Sequence, residues 1–513
     1  MFSRVRQVIA QKSGISTNHK KMRRGLLLLI MFVVLGLGSS VRANKGVYDW
    51  AFIDLDYARK EKVLQLRLFC NRIHNLAVRV RNDERMIKFF DVNNKYHNLV
   101  KNSSAPVELR SRIKEFRKDL NNYYIDNFLS FYDILFINRS GDVFHTIRKE
   151  SDYLSNLFVG ECANTPLAEH LRTDPRKEVF VDFHYYASSD EPAAFFIEPV
   201  QKDGTHIGWF VLQCAINKVN SLFAGAEQLG ATGEAFLVNH KGHMLTESSF
   251  EDNSTILKKQ LDDRNIQVKF RQKEGRKTVT DYRGFTALTS FEVFDFLGTQ
   301  WLVVAKIDEA QVITEHFKQH RRYYGDKIAH HLSSLSPEGS NGCSTKTDKK
   351  IIRVDMDEFV KANHGELLQT LGVSTCTAVI ATYPGKFGYM AHISPYDKIY
   401  GGSTTNLLGH VIKKVKVFDI PKYERRRMQF VIVAKQIKSL PNIVDKLVNE
   451  GFLLSQINVL HHAQARCANV TYDYSNNHTC TEWLFGQQYS RKIVQGGSDI
   501  NNLGTIVKQY VAE

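Results

Sequence analysis

Two stretches of this 513-residue chain spell nearly the same pattern. DILFINRSGDVFHT (133–146) and EAFLVNHKGHMLTE (234–247) each run an apolar, strand-like segment into an Asn, meet a Gly three residues later, and resume. Ile137, Asn138 and Gly141 of the first correspond to Val238, Asn239 and Gly242 of the second, a displacement of 101 residues (239 − 138). GWFVLQCAIN (208–217) and TQWLVVAKID (299–308) form a second matching pair, each a strand entered by Trp and followed by a helix. Self-similarity on this scale means two copies of one supersecondary unit. Each copy reads as an opening hairpin, a helical middle and a closing pair of long strands, which is a PAS-like antiparallel sheet used twice.

Ahead of the repeat, from about 48 to 125, apolar positions recur every three and four residues, as in VLQLRLFCNRIHNLAVRV. That period predicts a long amphipathic helix. Behind the repeat, residues 318–349 lose periodicity and gather Ser, Gly, Pro and Lys, the composition of a linker. A separate α/β unit is expected over 350–513. The fold class is therefore α+β: a long N-terminal helix, two PAS-like antiparallel-sheet modules at about 130–220 and 230–310, then the α/β domain.

The net charge of +15 raises the question of nucleic acid. Its distribution argues against it. Arg4, Arg6, Lys12, Lys20, Lys21, Arg23 and Arg24 form a basic n-region (1–24) ahead of an apolar run, and the later cluster from Lys413 to Arg427 is diluted by Asp419 and Glu424. No basic helix with interleaved aromatics appears, so no nucleic-acid partner is expected. The run GLLLLIMFVVLGLGS (25–39) reads as a signal anchor or signal peptide within 25–43. Basic residues stay on the cytoplasmic side, so residues 44–513 are expected outside it: periplasmic on an inner-membrane anchor through 25–39, or secreted if cleaved after Ala43. Seven Cys in such a length is too sparse for a disulfide scaffold.

Residues 48–317 resemble the double Cache sensor domain of bacterial chemoreceptors and sensor kinases. Four pieces carry the resemblance in order: YDILFINRSGDVFHTIRKESDYLSNL, VFVDFHYYASSDEPAAFFIEPV, LGATGEAFLVNHKGHMLTESSF and TVTDYRGFTALTSFEVFDFLGTQWLVVAKID. The resemblance implies extracytoplasmic sensing of a small molecule, with the pocket in the membrane-distal module. Within 181–196, Asp182 and Asp190 accompany Tyr185, Tyr186 and Phe195. Aromatic walls with carboxylates suit a ligand carrying an amine, an amino acid included. Taken one at a time, the commoner reading has the tyrosines as cover for the sheet and Asp182 as a turn cap.

In the C-terminal unit, TCTAVIATY reaches a turn at Pro384-Gly385 and returns as FGYMAHI. Such a hairpin can set Cys376 and His392 on neighbouring strands, the minimal nucleophile and base, with a third polar group needed to orient the ring. By pattern alone a small buried Cys and a satisfied strand His are the commoner reading. TLGVSTC (370–376) followed by GYMAHISP resembles the chemoreceptor glutamine deamidase (CheD) family. The resemblance implies Cys376 as nucleophile, His392 as general base, Thr370 completing the site, and a protein partner carrying a substrate Gln. The sequence departs from the family at Gly388-Tyr389, at Ala391 and at HHAQAR (461–466). Cys467 and Cys480 flank an expected hairpin tip and could pair after export.

The expectation is a sensor coupled to a cysteine-dependent glutamine deamidase-like domain in a chemotaxis-type signalling role, with no cofactor and no metal. The alternatives are a non-catalytic ligand-binding protein whose C-terminal domain docks a receptor, and an exported toxin-like deamidase.

Overall fold

The computed structural model describes residues 46–101, 107–173, 176–334, 348–395, 407–417, 420, 424–485, 490–496 and 501–511. The apolar run 25–39 lies outside the described residues, and among those described no helix is long and apolar enough to cross a membrane. The helix expected over 48–125 is three helices: α1 (Val47–Asn82), α2 (Glu84–Lys101) and α3 (Val107–Phe128). Asp83 makes the first break, because its Oδ1 accepts from the backbone N–H groups of Arg85 (2.9 Å) and Met86 (3.1 Å) and so caps α2. Leu55, Leu66, Ile73, Ala77 and Val80 make the buried stripe of α1. Two buried basic residues tie α1 to the strand modules: Lys62 donates to the carbonyls of Leu222 (2.7 Å) and Ala224 (3.0 Å), and Arg59 to that of Phe291 (2.9 Å).

The first module holds β1 (Asp133–Asn138), β2 (Val143–Thr146), helix α4 (Pro166–Thr173), β3 (Val179–Tyr186), β4 (Glu191–Lys202), β5 (Thr205–Ala215) and helix α5 (Ile216–Phe223). Its sheet has the order β2-β1-β5-β4-β3, antiparallel throughout. The second module holds β6 (Glu234–Asn239), helix α6 (Asp263–Gln272), β7 (Glu274–Thr280), β8 (Thr286–Phe296) and β9 (Thr299–Asp308), in the order β6-β9-β8-β7. The repeat is the same down to its turn. Asn138 Oδ1 accepts from the N–H groups of Ser140 and Asp142, both at 3.0 Å, and Asn239 Oδ1 from those of Lys241 (3.0 Å) and His243 (2.9 Å). Gly141 and Gly242 both take φ 84°, a left-handed conformation that glycine adopts without steric cost.

After β9 come α7 (Glu309–Gln319) and α8 (Arg321–Ser334). The strands of the C-terminal region are β10 (Lys350–Arg353), β11 (Phe359–Lys361), β12 (Glu366–Val373), β13 (Thr377–Tyr383), β14 (Phe387–Ile393), β15 (Gln429–Ala434), β16 (Ile457–Leu460), β17 (Cys467–Asp473), β18 (His478–Phe485), β19 (Ser490–Gly496) and β20 (Asn501–Asn502). Its helices are α9 (Leu407–Val417), α10 (Leu440–Asn449) and α11 (Leu503–Val511). One sheet runs β10-β12-β17-β18-β19 and the other β11-β14-β13-β15-β16-β20. Leu368, Val470, Tyr472 and Trp483 of the first pack against Ala378, Ile380, Met390 and Val433 of the second. The outer face of the second sheet is covered by Val411 and Val415 of α9, Ile443 and Leu447 of α10, and Ile506 of α11.

Two expectations need correction. The segment read as a linker opens with α8, whose Tyr324, Ile328 and Leu332 are spaced four residues apart and buried. The C-terminal region is also not separate, since Ile313 and Phe317 of α7 and those three residues share one core with α9, α10 and α11. Helical periodicity outweighs the polar composition up to Ser334.

Candidate functional site

The hairpin expected around Cys376 is β13–β14. Lys386 N–H donates to the carbonyl of Tyr383 (3.0 Å) across the Pro384-Gly385 turn, and Gly385 takes φ 75°. The register pairs Ala378 with His392 and Thr377 with Ile393. Cys376 lies in the bend just ahead of β13, two residues before Ala378, the register partner of His392. Thr370 reaches the ring from the other sheet: its Oγ1 is 2.6 Å from His392 Nδ1. A bulge in β12 between Thr370 and Val373, with Gly372 at φ 68°, lets the chain leave one sheet and deliver Cys376 to the other. Thr370 and His392 thus meet where the two sheets face each other, and Cys376 immediately precedes β13 of the second sheet.

All three are buried: Thr370 at 1% exposure, His392 at 5% and Cys376 at 7%. The segment Val354–Glu358 forms the outer wall. Asp357 N–H donates to the carbonyl of His392 (2.7 Å), and His392 N–H to that of Glu358 (3.0 Å). Met356 Sδ lies 3.8 Å from Cys376 Sγ, and Met356 is itself exposed. In the tautomer whose Nδ1–H donates to Thr370, Nε2 is the acceptor of the ring, the form in which an imidazole takes a proton. By contrast Cys70, buried on α1, has its thiol pushed up to about 12 by burial and stays protonated. Cys467 is free while Cys480 is disulfide-bonded, so the suggested pairing of those two does not form. The β17–β18 register explains this, setting Cys467 opposite Leu484 and Cys480 opposite Thr471.

The five residues expected around a ligand in the first module fall in three places. Asp182 Oδ1 accepts from the indole N–H of Trp301 in β9 (2.8 Å), so it links the two modules. Tyr185 is exposed, and its hydroxyl donates to Asp190 at the surface. Tyr186 and Phe195 are buried side by side, their ring centres 4.9 Å apart, and the Tyr186 hydroxyl donates to Asp152 (2.7 Å). Strand alternation, shifted by the irregularity between Val181 and His184, separates them. The inner face carries polar groups that sequence reading missed. Phe195, Gln213 and Asp133 form one row across β4, β5 and β1. Among the described residues, Asp133 Oδ2, Gln213 Oε1 and Asp152 Oδ1 are buried acceptors without a partner. Burial pushes the Asp133 carboxyl up to about 7, and neighbouring Asp152 acts in the same direction.

A charged cluster in the second module was also missed. Lys306 bonds Asp281 (2.7 Å) and Glu234 (3.1 Å), Arg283 bonds Asp281 (2.6 Å) and Asp308, and Arg426 from the C-terminal region pairs with Asp308. Burial would raise the Asp281 carboxyl, but Lys306 and Arg283 beside it hold it down at about 2. The signal was present as two charges inside the apolar strand WLVVAKID, although their partners are remote in sequence.

No family model matches the chain, and no curated protein matches it. Among solved structures it is similar in part to an extracellular ligand-binding receptor from Desulfohalobium retbaense, at 12% identity and a TM-score of 0.33, over 49% of this chain and 40% of that one. It is likewise similar to the ligand-binding domain of the Pseudomonas aeruginosa amino-acid chemoreceptor PctB in complex with L-Gln (14% identity, TM-score 0.31, 52% of this chain and 92% of that one). A third is the ligand-binding domain of the Pseudomonas fluorescens chemoreceptor CtaA in complex with L-serine (12% identity, TM-score 0.31, 51% and 96%).

Proposed function

We propose that the chain is an extracytoplasmic small-molecule sensor carrying a cysteine-dependent amidase that acts as a protein-glutamine deamidase. The observation that carries the enzymatic reading is the 2.6 Å hydrogen bond between Thr370 Oγ1 and His392 Nδ1, with the buried Cys376 just ahead of the strand that pairs with that of His392. His392 takes the thiol proton, and the Cys376 sulfur attacks the side-chain amide carbon of a Gln on a protein partner. The C–N bond then breaks, and the nitrogen leaves as ammonia with the proton from His392. Water, deprotonated by the same ring, hydrolyses the thioester to Glu and frees the thiol.

The sensing reading rests on the repeated sheet, on its resemblance to double Cache domains, and on the polar row of the first module. Three unpartnered acceptors on Asp133, Gln213 and Asp152, beside Tyr186 and Phe195, suit a ligand with an ammonium group, an amino acid or amine. Placement outside the cytoplasm is supported by the basic block ahead of 25–39 and by a disulfide at Cys480. The test of the enzymatic reading is ammonia release when the full chain meets Gln-bearing protein partners. Release that disappears in Cys376→Ala is the expected result. An equal rate from Cys376→Ala and the parent would leave a ligand-binding protein whose C-terminal region docks a partner.

A further inference from the structure

We propose that the cavity between the second sheet and α6 binds a small monocarboxylate, with Lys269 as the counter-ion. The cavity has a volume of about 110 Å³, several times the roughly 10–15 Å³ that one water needs. Phe236, Ile266 and Val304 supply apolar wall, and Lys269, Lys306 and Asp281 are the buried charges on it.

The charge balance singles out one of these. Among the described residues the cations Lys306, Arg283 and Arg426 are matched by the anions Glu234, Asp281 and Asp308. Lys269 stands outside that balance. It is 6% exposed, its ammonium lies 5.7 Å from the centre of the Phe291 ring, and the charge acting on it is the like-signed Lys277. Among the described residues no carboxylate pairs with the ammonium of this largely buried side chain, and a ligand that brings one supplies it. Burial has already pulled this group down to about 8.

The occupant is an anion rather than a zwitterion. The Asp281 carboxylate on the wall is taken up by Lys306 and Arg283, and that of Asp262 accepts from Asn265 (2.8 Å). The volume limits the tail to a few carbons, set against Phe236, Ile266 and Val304. This site is distinct from the amine site of the first module and from Cys376, so its failure leaves both of those testable on their own.

The test is the melting temperature of the full chain in sodium acetate, propionate and butyrate, against sodium chloride and sodium phosphate at equal ionic strength. A saturable rise with at least one carboxylate is expected, lost in Lys269→Met and also in Val304→Phe, which fills the cavity and keeps the lysine. Absence of any rise beyond chloride, a rise equalled by phosphate, or a rise that survives Lys269→Met would overturn the proposal.

Discussion

In the first module Asp133 and Glu198 lie buried at 1% exposure each, and burial raises both carboxyls to about 7, although Arg81 sits 3.0 Å from Glu198. In the second, Asp281 is also enclosed yet held at about 2 by Lys306 and Arg283. The two modules share a strand ladder and an Asn–Gly turn, so backbone topology does not dictate how buried charge is handled. One interior leaves acceptors of Asp133, Asp152 and Gln213 without a partner among the described residues. The other pairs Lys306 and Arg283 with Glu234, Asp281 and Asp308, leaves Lys269 outside that network, and reaches through Arg426 to the C-terminal region.

The sharpest way to break this contrast is Asp281→Asn. It strips the shared partner from Lys306 and Arg283 and leaves two buried cations undercompensated, at a cost of about 3–5 kcal/mol. Denaturant unfolding of the full chain reads this out, and a loss below about 1 kcal/mol, the range of an exposed pair, would mean these charges are not paired as described.

Next comes pH. A carboxyl raised in the fold favours its protonated form, so Asp133 and Glu198 make the first module less stable as pH rises from about 4 to about 7. Asp281 behaves oppositely: its contribution is complete above about 4 and is lost as pH falls towards about 2. Hydrogen exchange followed separately in β1 and in β9 should show opposite trends across those two windows. Asp133→Asn should flatten the trend in β1 and leave β9 unchanged.

A smaller loss is expected at the shared turn. Asn138→Ala and Asn239→Ala each remove a side-chain oxygen that accepts from two backbone N–H groups, which predicts about 1–2 kcal/mol apiece in denaturant unfolding. Asn138→Ala should be the worse of the two, because its Nδ2 also donates to Asp142 (3.2 Å).

The repeat was legible because its turn needs a left-handed Gly and an Asn acceptor at fixed offsets, and both are local. Thr370, Cys376 and His392 were singled out through a family resemblance, and the structure brings the side chains of Thr370 and His392 to 2.6 Å of each other. The ligand set was not. Asp182, Tyr185 and Tyr186 are neighbours in sequence, but strand alternation and an irregularity send them to a module junction, to solvent and to the core. Asp133, Gln213 and Asp152 come together through cross-strand pairing and a loop, which no linear spacing displays. Helix α8 was hidden because the Ser- and Gly-rich stretch after it dominated the composition of 318–349.

The proposed amidase reading requires that His392, held by Thr370, activate Cys376. The direct measurement is the alkylation rate of Cys376 against pH in the full chain, followed on its own peptide by mass spectrometry, with Thr370→Val and His392→Ala alongside. Activation predicts a thiol that titrates well below the roughly 8.5 of free cysteine, shifted back towards that value by His392→Ala and partly by Thr370→Val. A thiol that reacts slowly and titrates identically in all three proteins would contradict it, and Cys376 would then be a buried strand residue of a binding protein.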